Sequence, residues 1–220
     1  MTTWLVTGAN RGIGLAVCTQ LVERGDDVIA ACRESSAELA ALNLRIESGV
    51  DVTDGASISA LAQRLDGVTV DVLLNNAGIL NSERLGSLDF DAMRRQYEVN
   101  SLGPLRVTAG LLGRLSAGSK VGIVTSRMGS VGDNDSGGAY GYRMSKAAVN
   151  AAGKSLSLDL RPHEIAVGIL HPGWVRTDMT RHNGLVDASE SASGLIARMD
   201  ELTLETTGTF WHMNGQELPW

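Results

Sequence analysis

The sequence predicts an α/β fold, a doubly wound parallel sheet of about seven strands with helices on both faces. Three observations predict it. Strand-like and helix-like patterns alternate along all 220 residues, with no repeat, low-complexity tract or linker. A glycine-rich loop falls between the first strand and the first helix. Residues with chemistry in them recur at the C-terminal ends of strands, the edge where open parallel sheets bind ligands.

Trp4–Thr7 reads as the first strand. Thr7-Gly8-Ala9-Asn10-Arg11-Gly12-Ile13-Gly14 follows, and Ile13, Ala16, Val17, Gln20 and Leu21 then repeat at helical spacing up to a stop at Arg24-Gly25. Strand, glycine loop, helix is the Rossmann-type context of a dinucleotide site. Glycines let backbone approach a pyrophosphate, and the helix N-terminus faces its charge. The spacing Gly-x-x-x-Gly-x-Gly departs from the commoner Gly-x-Gly-x-x-Gly. Asp27–Cys32 is the second strand. An acid at its end would bind a ribose 2′-hydroxyl, but Arg33 follows and Arg11 sits in the loop. Two guanidinium groups suit a 2′-phosphate. That favours NADP (NADPH) as cofactor, with NAD as the alternative and Glu34 as its argument.

Ser36–Asn43 looks like a short helix and Arg45–Asp51 like a third strand. Thr53 or Asp54 can cap a helix whose apolar face is Ile58, Leu61, Ala62 and Leu65. Asp51 could accept a hydrogen bond from an adenine amino group, or it could be a turn acid. Val70–Leu74 is a fourth strand, followed by Asn75-Asn76-Ala77-Gly78. These amides and small residues suit close packing over a cofactor, and equally an ordinary turn. Beyond Leu85–Gln96 the pattern predicts a long helix bearing Leu102, Leu105, Val107, Leu111, Leu112 and Leu115. Asn100 is unfavourable there by propensity, which points to a specific role such as holding a water. Lys120–Thr125 is the fifth strand, ending at Ser126, and Ala166–Leu170 is the sixth. His171-Pro172-Gly173-Trp174-Val175-Arg176-Thr177-Asp178-Met179 opens a loop that, with the stretch to residue 188, is expected to cover the substrate. Ser189–Met199 reads as a helix and Gly208–His212 as a short last strand.

Tyr142-Arg143-Met144-Ser145-Lys146 places a phenol and an ammonium on one helix face. Bringing a tyrosine from its free pKa to neutrality takes roughly 4 kcal/mol of differential stabilisation, part of which a nearby positive charge supplies. Only Lys120, Lys146 and Lys154 are lysines, against sixteen arginines, so Lys146 is no random draw from a lysine-rich surface. The plainer alternative is a half-buried ring beside a solvated amine. It gives way because the glycine loop, Asn75, Ser126 and the Pro172 loop all fall on the same sheet edge.

Composition sets the bounds. At 43% hydrophobic the chain can bury a sizeable core as one domain over 1–220. A net charge of −6 argues against a general nucleic-acid surface. No run is apolar enough to cross a bilayer and no targeting peptide precedes the first strand, so a cytoplasmic protein is expected. Cys18 and Cys32 read as reduced thiols. His163, His171, His182 and His212 show no metal-ligand spacing. Trp174, Met179, His182 and Trp211 could line an apolar pocket, although Trp211 could equally be packing.

Four motifs occur in order: Thr7-Gly8-x-x-x-Gly12-Ile13-Gly14, Asn75-Asn76-Ala77-Gly78, Ser126 with Tyr142-x-x-x-Lys146, and Pro172-Gly173-x-x-x-Thr177. Together they resemble the short-chain dehydrogenase/reductase family over nearly the whole chain. The approach Gly137-Gly138-Ala139-Tyr140-Gly141-Tyr142-Arg143 and the ending Gly215-Gln216-Glu217-Leu218-Pro219-Trp220 resemble its small carbonyl-reductase branch, of the sniffer or C-factor type. The resemblance implies a catalytic tetrad: Tyr142 as acid/base, Ser126 on the substrate oxygen, Lys146 on the nicotinamide ribose and lowering the tyrosine pKa, and Asn100 positioning a water. It also implies cofactor contacts from Gly8, Asn10, Arg11, Gly12, Ile13, Gly14, Arg33, Asp51, Val52, Asn76, Ala77, Gly78, Pro172, Gly173, Val175 and Thr177. The implied activity is NADPH-dependent reduction of a ketone or aldehyde. The rivals are a catalytically silent NADP-binding regulator and a nucleotide-sugar epimerase or dehydratase, which would need a longer chain. Family habit further implies a homodimer through the helices at Leu102–Leu115 and Ala147–Leu158. The serine stands sixteen residues before the tyrosine, further than in many members, which makes Ser130 a rival to Ser126.

Overall fold

The computed structural model describes residues 1–220. Seven strands, β1 (Thr3–Thr7), β2 (Asp27–Ala31), β3 (Arg45–Glu47), β4 (Val72–Asn75), β5 (Lys120–Val124), β6 (Ala166–His171) and β7 (Phe210–His212), form one sheet in the order β3-β2-β1-β4-β5-β6-β7. Every pairing is parallel. The chain winds from β1 out to β3, then returns to the far side of β1 as β4. This reversal opens a crevice at the C-terminal ends of β1 and β4, where the glycine loop and the Asn75 loop emerge.

The helices are α1 (Gly12–Arg24), α2 (Ala37–Ala40), α3 (Gly55–Arg64), α4 (Phe90–Tyr97), α5 (Gly103–Gly110), α6 (Tyr140–Asp159) and α7 (Ala188–Glu201). Strand alternation sorts the core into two layers. Trp4, Val6 and Leu74 pack with Leu21 of α1 and Met199 of α7 on one face. Leu5, Leu73 and Ile123 pack with Ile58 of α3, Val107 of α5 and Val149 of α6 on the other. No helix is long and apolar enough to cross a membrane.

Three expected elements differ. The third strand ends at Glu47. The long helix over Leu102–Leu115 is broken up: α4 passes through a wide π-type turn at Glu98–Leu102, α5 stops at Gly110, and a single tight turn covers Leu112–Arg114. Pro104 carries no N–H, so the Asn100 carbonyl lacks the donor that an α-helix places four residues on. The Gly103 N–H instead reaches back five residues to Glu98 O. Leu105 and Leu112 consequently face solvent. The last strand is shorter and doubles back as a hairpin, with Leu218 N–H on Phe210 O at 2.8 Å and Phe210 stacked on Trp220 at 5.5 Å.

Candidate active site

A cavity of about 570 Å³ occupies the crevice. One wall is the glycine loop, which the β4 loop pins from below. Thr7 Oγ1 accepts the Asn76 and Ala77 N–H groups at 3.0 and 3.1 Å, and Asn76 Nδ2 donates to Thr7 O and Gly8 O at 3.0 and 3.2 Å. Gly8 holds φ +64°, and a side chain there would meet Ala77 Cα at 2.8 Å. Both Asn76 donors are thus spent on the scaffold.

Gly8, Asn10, Arg11, Gly12, Ile13, Arg33, Asp51, Val52, Asn76, Ala77, Gly78, Tyr142, Lys146, Pro172 and Thr177 all line this cavity, as the sequence led one to expect. Gly14, Gly173 and Val175 do not. Gly14 packs under the loop against Gly8 and Asn76, Gly173 abuts Val186, and Val175 is buried by its bridge to Val186. Ser126 and Asn100 also lie off the wall. Cys32, Glu34, Ile79, Val99, Thr125, Asp178 and Met179 join the lining without having been singled out as site residues. Strand-end position was the signal available for Cys32 and Thr125.

At one end of the cavity Arg33 is exposed and forms no salt bridge. Asp51 Oδ1 accepts from Thr53 N–H and Oγ1–H at 2.8 and 2.7 Å. Those two bonds hold its carboxyl below the usual range, with Arg33 and Arg106 adding attraction. Arg11 spans the mouth to Asp178 at 3.9 Å, so the glycine loop touches the loop after β6.

At the other end α6 presents Tyr142 and Lys146, both buried. The Ser126 hydroxyl reaches the Tyr142 phenol. Ser130 turns away, its Oγ accepting the Asp133 N–H at 3.1 Å. Lys146 Nζ donates to Val124 O at 3.0 Å and lies 5.7 Å from the Tyr142 ring centroid. Burial pushes the phenol up to about 12, against the pull of the Ser126 hydrogen bond, and pushes the lysine down to about 8. The expected lowering of the tyrosine by Lys146 is therefore not met, since Lys146 sits over the ring and is itself desolvated. Asn100 Nδ2 donates to Ile79 O at 2.8 Å and Ser145 Oγ at 3.1 Å, while Oδ1 accepts the Ile79 N–H at 2.9 Å. A side chain on Gly78 would stand 3.4 Å from Asn100 Oδ1 and 3.8 Å from Lys146 Nζ, so these three groups gather at one spot.

The loop after β6 is folded on itself. Arg176 N–H donates to Val186 O at 2.9 Å, and Thr177 with Thr180 forms a capping box. Of the four candidate apolar residues only Met179 lines the cavity. Trp211 packs on the core, while Trp174 and His182 are exposed.

The family model described as short chain dehydrogenase matches residues 2–185. The chain belongs to the short-chain dehydrogenase family. One relative in it is the 1-hydroxy-2-glutathionyl-2-methyl-3-butene dehydrogenase of Rhodococcus sp. strain AD45, 47% identical over 226 aligned positions that cover 100% of both chains. Another is C-signal of Myxococcus xanthus, 47% identical over 69% of this chain and 93% of that one. Among solved short-chain dehydrogenase structures, carbonyl reductase Sniffer of D. melanogaster superimposes with a TM-score of 0.92 at 29% identity, covering 100% of both chains. The NADPH-bound carbonyl reductase from chicken fatty liver superimposes at 0.90 and 32% identity, covering 100% of this chain and 99% of that one.

Proposed function

We propose that this oxidoreductase uses NADP(H) to reduce a ketone or aldehyde carbonyl to an alcohol, with Tyr142, Ser126, Lys146 and Asn100 as its working set. One observation carries the reading: a buried phenol reached by a serine hydroxyl and overlain by a lysine stands on the wall of the cavity that starts at the glycine loop. The cavity fits a dinucleotide. The close approach at Gly8 leaves bare backbone for a pyrophosphate, and Arg33 and Arg11 suit a 2′-phosphate. The carbonyl reductase from chicken fatty liver carries NADPH. On this reading the loop over residues 172–188 flanks the substrate.

When bound, the reduced nicotinamide supplies the hydride. As negative charge develops on the substrate oxygen, the Ser126 and Tyr142 hydroxyls donate hydrogen bonds to it and stabilise the transition state more than the neutral ground state. Tyr142, kept protonated by burial, gives that oxygen its proton. Lys146 holds the ribose and, with Asn100, returns a proton from solvent. The proline-freed Asn100 carbonyl supplies an acceptor for a water there. A phenol at about 12 is an acid at neutral pH and a poor base, which favours reduction. Exposed Leu105, Met144 and Leu158 on α5 and α6 support a homodimer, to be checked by light scattering.

The test follows NADPH absorbance against a panel of aldehydes, diketones and quinones, with NADH in parallel. Tyr142→Phe should bind NADPH normally and lose roughly 10²–10⁴-fold in turnover. Retained turnover would sink the assignment. A second reading, oxidation of an alcohol on a thioether conjugate, is favoured by the full-length relative named a glutathionyl-butene dehydrogenase. Turnover of such an alcohol with NADP or NAD, and none of the carbonyl panel, would select it.

A further inference from the structure

We propose that Glu83 is a positioning residue for Tyr142, acting as a remote charged cap on the first turn of α6. This rests on the reading of Tyr142 as the acid. Helix α6 starts without help from its own sequence. Its N-cap, Ala139, sits at φ +47° and supplies no side-chain hydrogen bond. An L-residue in that left-handed region is strained by about 1–2 kcal/mol, and the first-turn N–H groups of a helix have no internal acceptors.

Glu83, from the segment after β4, meets both needs. It is buried, with 5% of its surface exposed. Its backbone oxygen accepts the Ala139 N–H at 2.9 Å, fixing the strained residue. Its Oε2 accepts the Gly141 N–H at 3.1 Å, one residue before the tyrosine. Its Oε1 accepts Gln96 Nε2 at 2.8 Å, and Gln96 Oε1 in turn accepts the Asn81 N–H at 2.8 Å. No Lys, Arg or His forms a salt bridge with this carboxylate. Its charge is met instead by the positive end of a 20-residue helix. Gly141 is the residue that permits the approach, since a Cβ there would lie 2.5 Å from Gln96 Nε2.

The chain of bonds has a direction. Asn81 N–H gives to Gln96, Gln96 gives to Glu83, and Gly141 N–H gives to Glu83. An amide at position 83 must turn its NH₂ toward either Gly141 or Gln96, and both are donors. Glu83→Gln therefore leaves two donors facing each other in a buried site. The exchange Glu83→Gln with Gln96→Glu restores an acceptor for every donor. The carboxylate then at position 96 accepts from Asn81 N–H and from the amide at position 83, and the oxygen of that amide accepts from Gly141 N–H.

The experiment compares wild type, Glu83→Gln and the double exchange, with Tyr142→Phe alongside. It measures kcat and KM on the fastest carbonyl of the panel with NADPH, and amide hydrogen exchange over the first turn of α6. Glu83→Gln should lower kcat roughly 10–100-fold with KM for NADPH unchanged, and should speed exchange at the first turn. The double exchange should recover both. Wild-type kcat and protection in Glu83→Gln, with turnover lost in Tyr142→Phe, would overturn this proposal alone. Retained turnover in Tyr142→Phe would overturn the acid reading and this proposal with it. If Glu83→Gln does not fold, the double exchange decides, and a double variant that is unfolded or inactive overturns the proposal.

Discussion

Replacing Gly14 with alanine puts a methyl group where α1, the glycine loop and the β4 loop meet. The added carbon would overlap the Gly8 carbonyl oxygen, stand 2.6 Å from Asn76 Nδ2 and touch Ala9 Cα at 3.0 Å. Neither backbone neighbour can yield freely, because Gly8 is itself pressed against Ala77. Overpacking of this kind costs about 1–3 kcal/mol. The Asn76 amide must also swing away and lose its bonds to Thr7 O and Gly8 O, each worth about 0.5–1.5 kcal/mol net. A loss of roughly 3–4 kcal/mol is expected, which for a chain of this size lowers Tm by about 6–16 °C. Gly55→Ala is the control. It opens α3, has nothing within 4 Å of a new Cβ, and should be neutral or gain up to about 1 kcal/mol. Thermal unfolding followed by circular dichroism measures both. Equal melting temperatures for the two variants would refute the packing argument.

Arg33→Ser should weaken NADPH binding roughly 10–100-fold by fluorescence titration and leave NADH unchanged, since a charged hydrogen bond to a 2′-phosphate is worth about 1.5–3 kcal/mol. Ser126→Ala should cut kcat by on the order of 10²-fold, while Ser130→Ala should alter only stability through the lost bond to Asp133 N–H. His171 is held down to about 3 by burial first, then by His212, Arg127 and Lys146. The unfolded chain takes up this proton from about pH 6.5 downward and the folded one only near 3, so stability falls across that window as pH drops. The full loss is about 4–5 kcal/mol, and denaturant titrations of His171→Phe should show a flatter acid limb. An unchanged limb would mean that other groups govern acid unfolding.

The sheet was legible because each of its central strands is a short apolar run set between turn residues. Such strands are buried on both faces and carry a continuous signal. The cavity wall was legible for a related reason: glycines and small residues after a strand are needed where backbone approaches backbone, as Gly8 does Ala77. What escaped depends on neighbours remote in sequence. Asn76 reads as a ligand-facing amide, yet Thr7 and Gly8 claim it. The leucines from 102 to 115 read as one stripe, yet Pro104 and the close approach of Gly110 to Ile58 divide it. Tyr142 and Lys146 read as a charge-tuned pair, yet burial moves both away from the expected direction. Glu83 carries no local signal, because its partner Gly141 lies 58 residues on.

The wide turn at Glu98–Leu102 has a bearing on how this family member could tolerate change. An α-helix advances about 100° per residue, and a π-type turn inserts one residue without completing that step. It acts as a phase shifter between two stretches of one helical span. Upstream, the azimuth is set so that Asn100 meets Ile79 and Ser145. Downstream, it is set so that Val107 and Leu111 meet the sheet. Removing one residue would straighten the span and rotate α5 by about 100°, bringing Thr108 to the place of Val107. The active-site edge and the core could then no longer both be in register, and single-residue insertions or deletions here should be far less tolerated than in the open turn at Gly113.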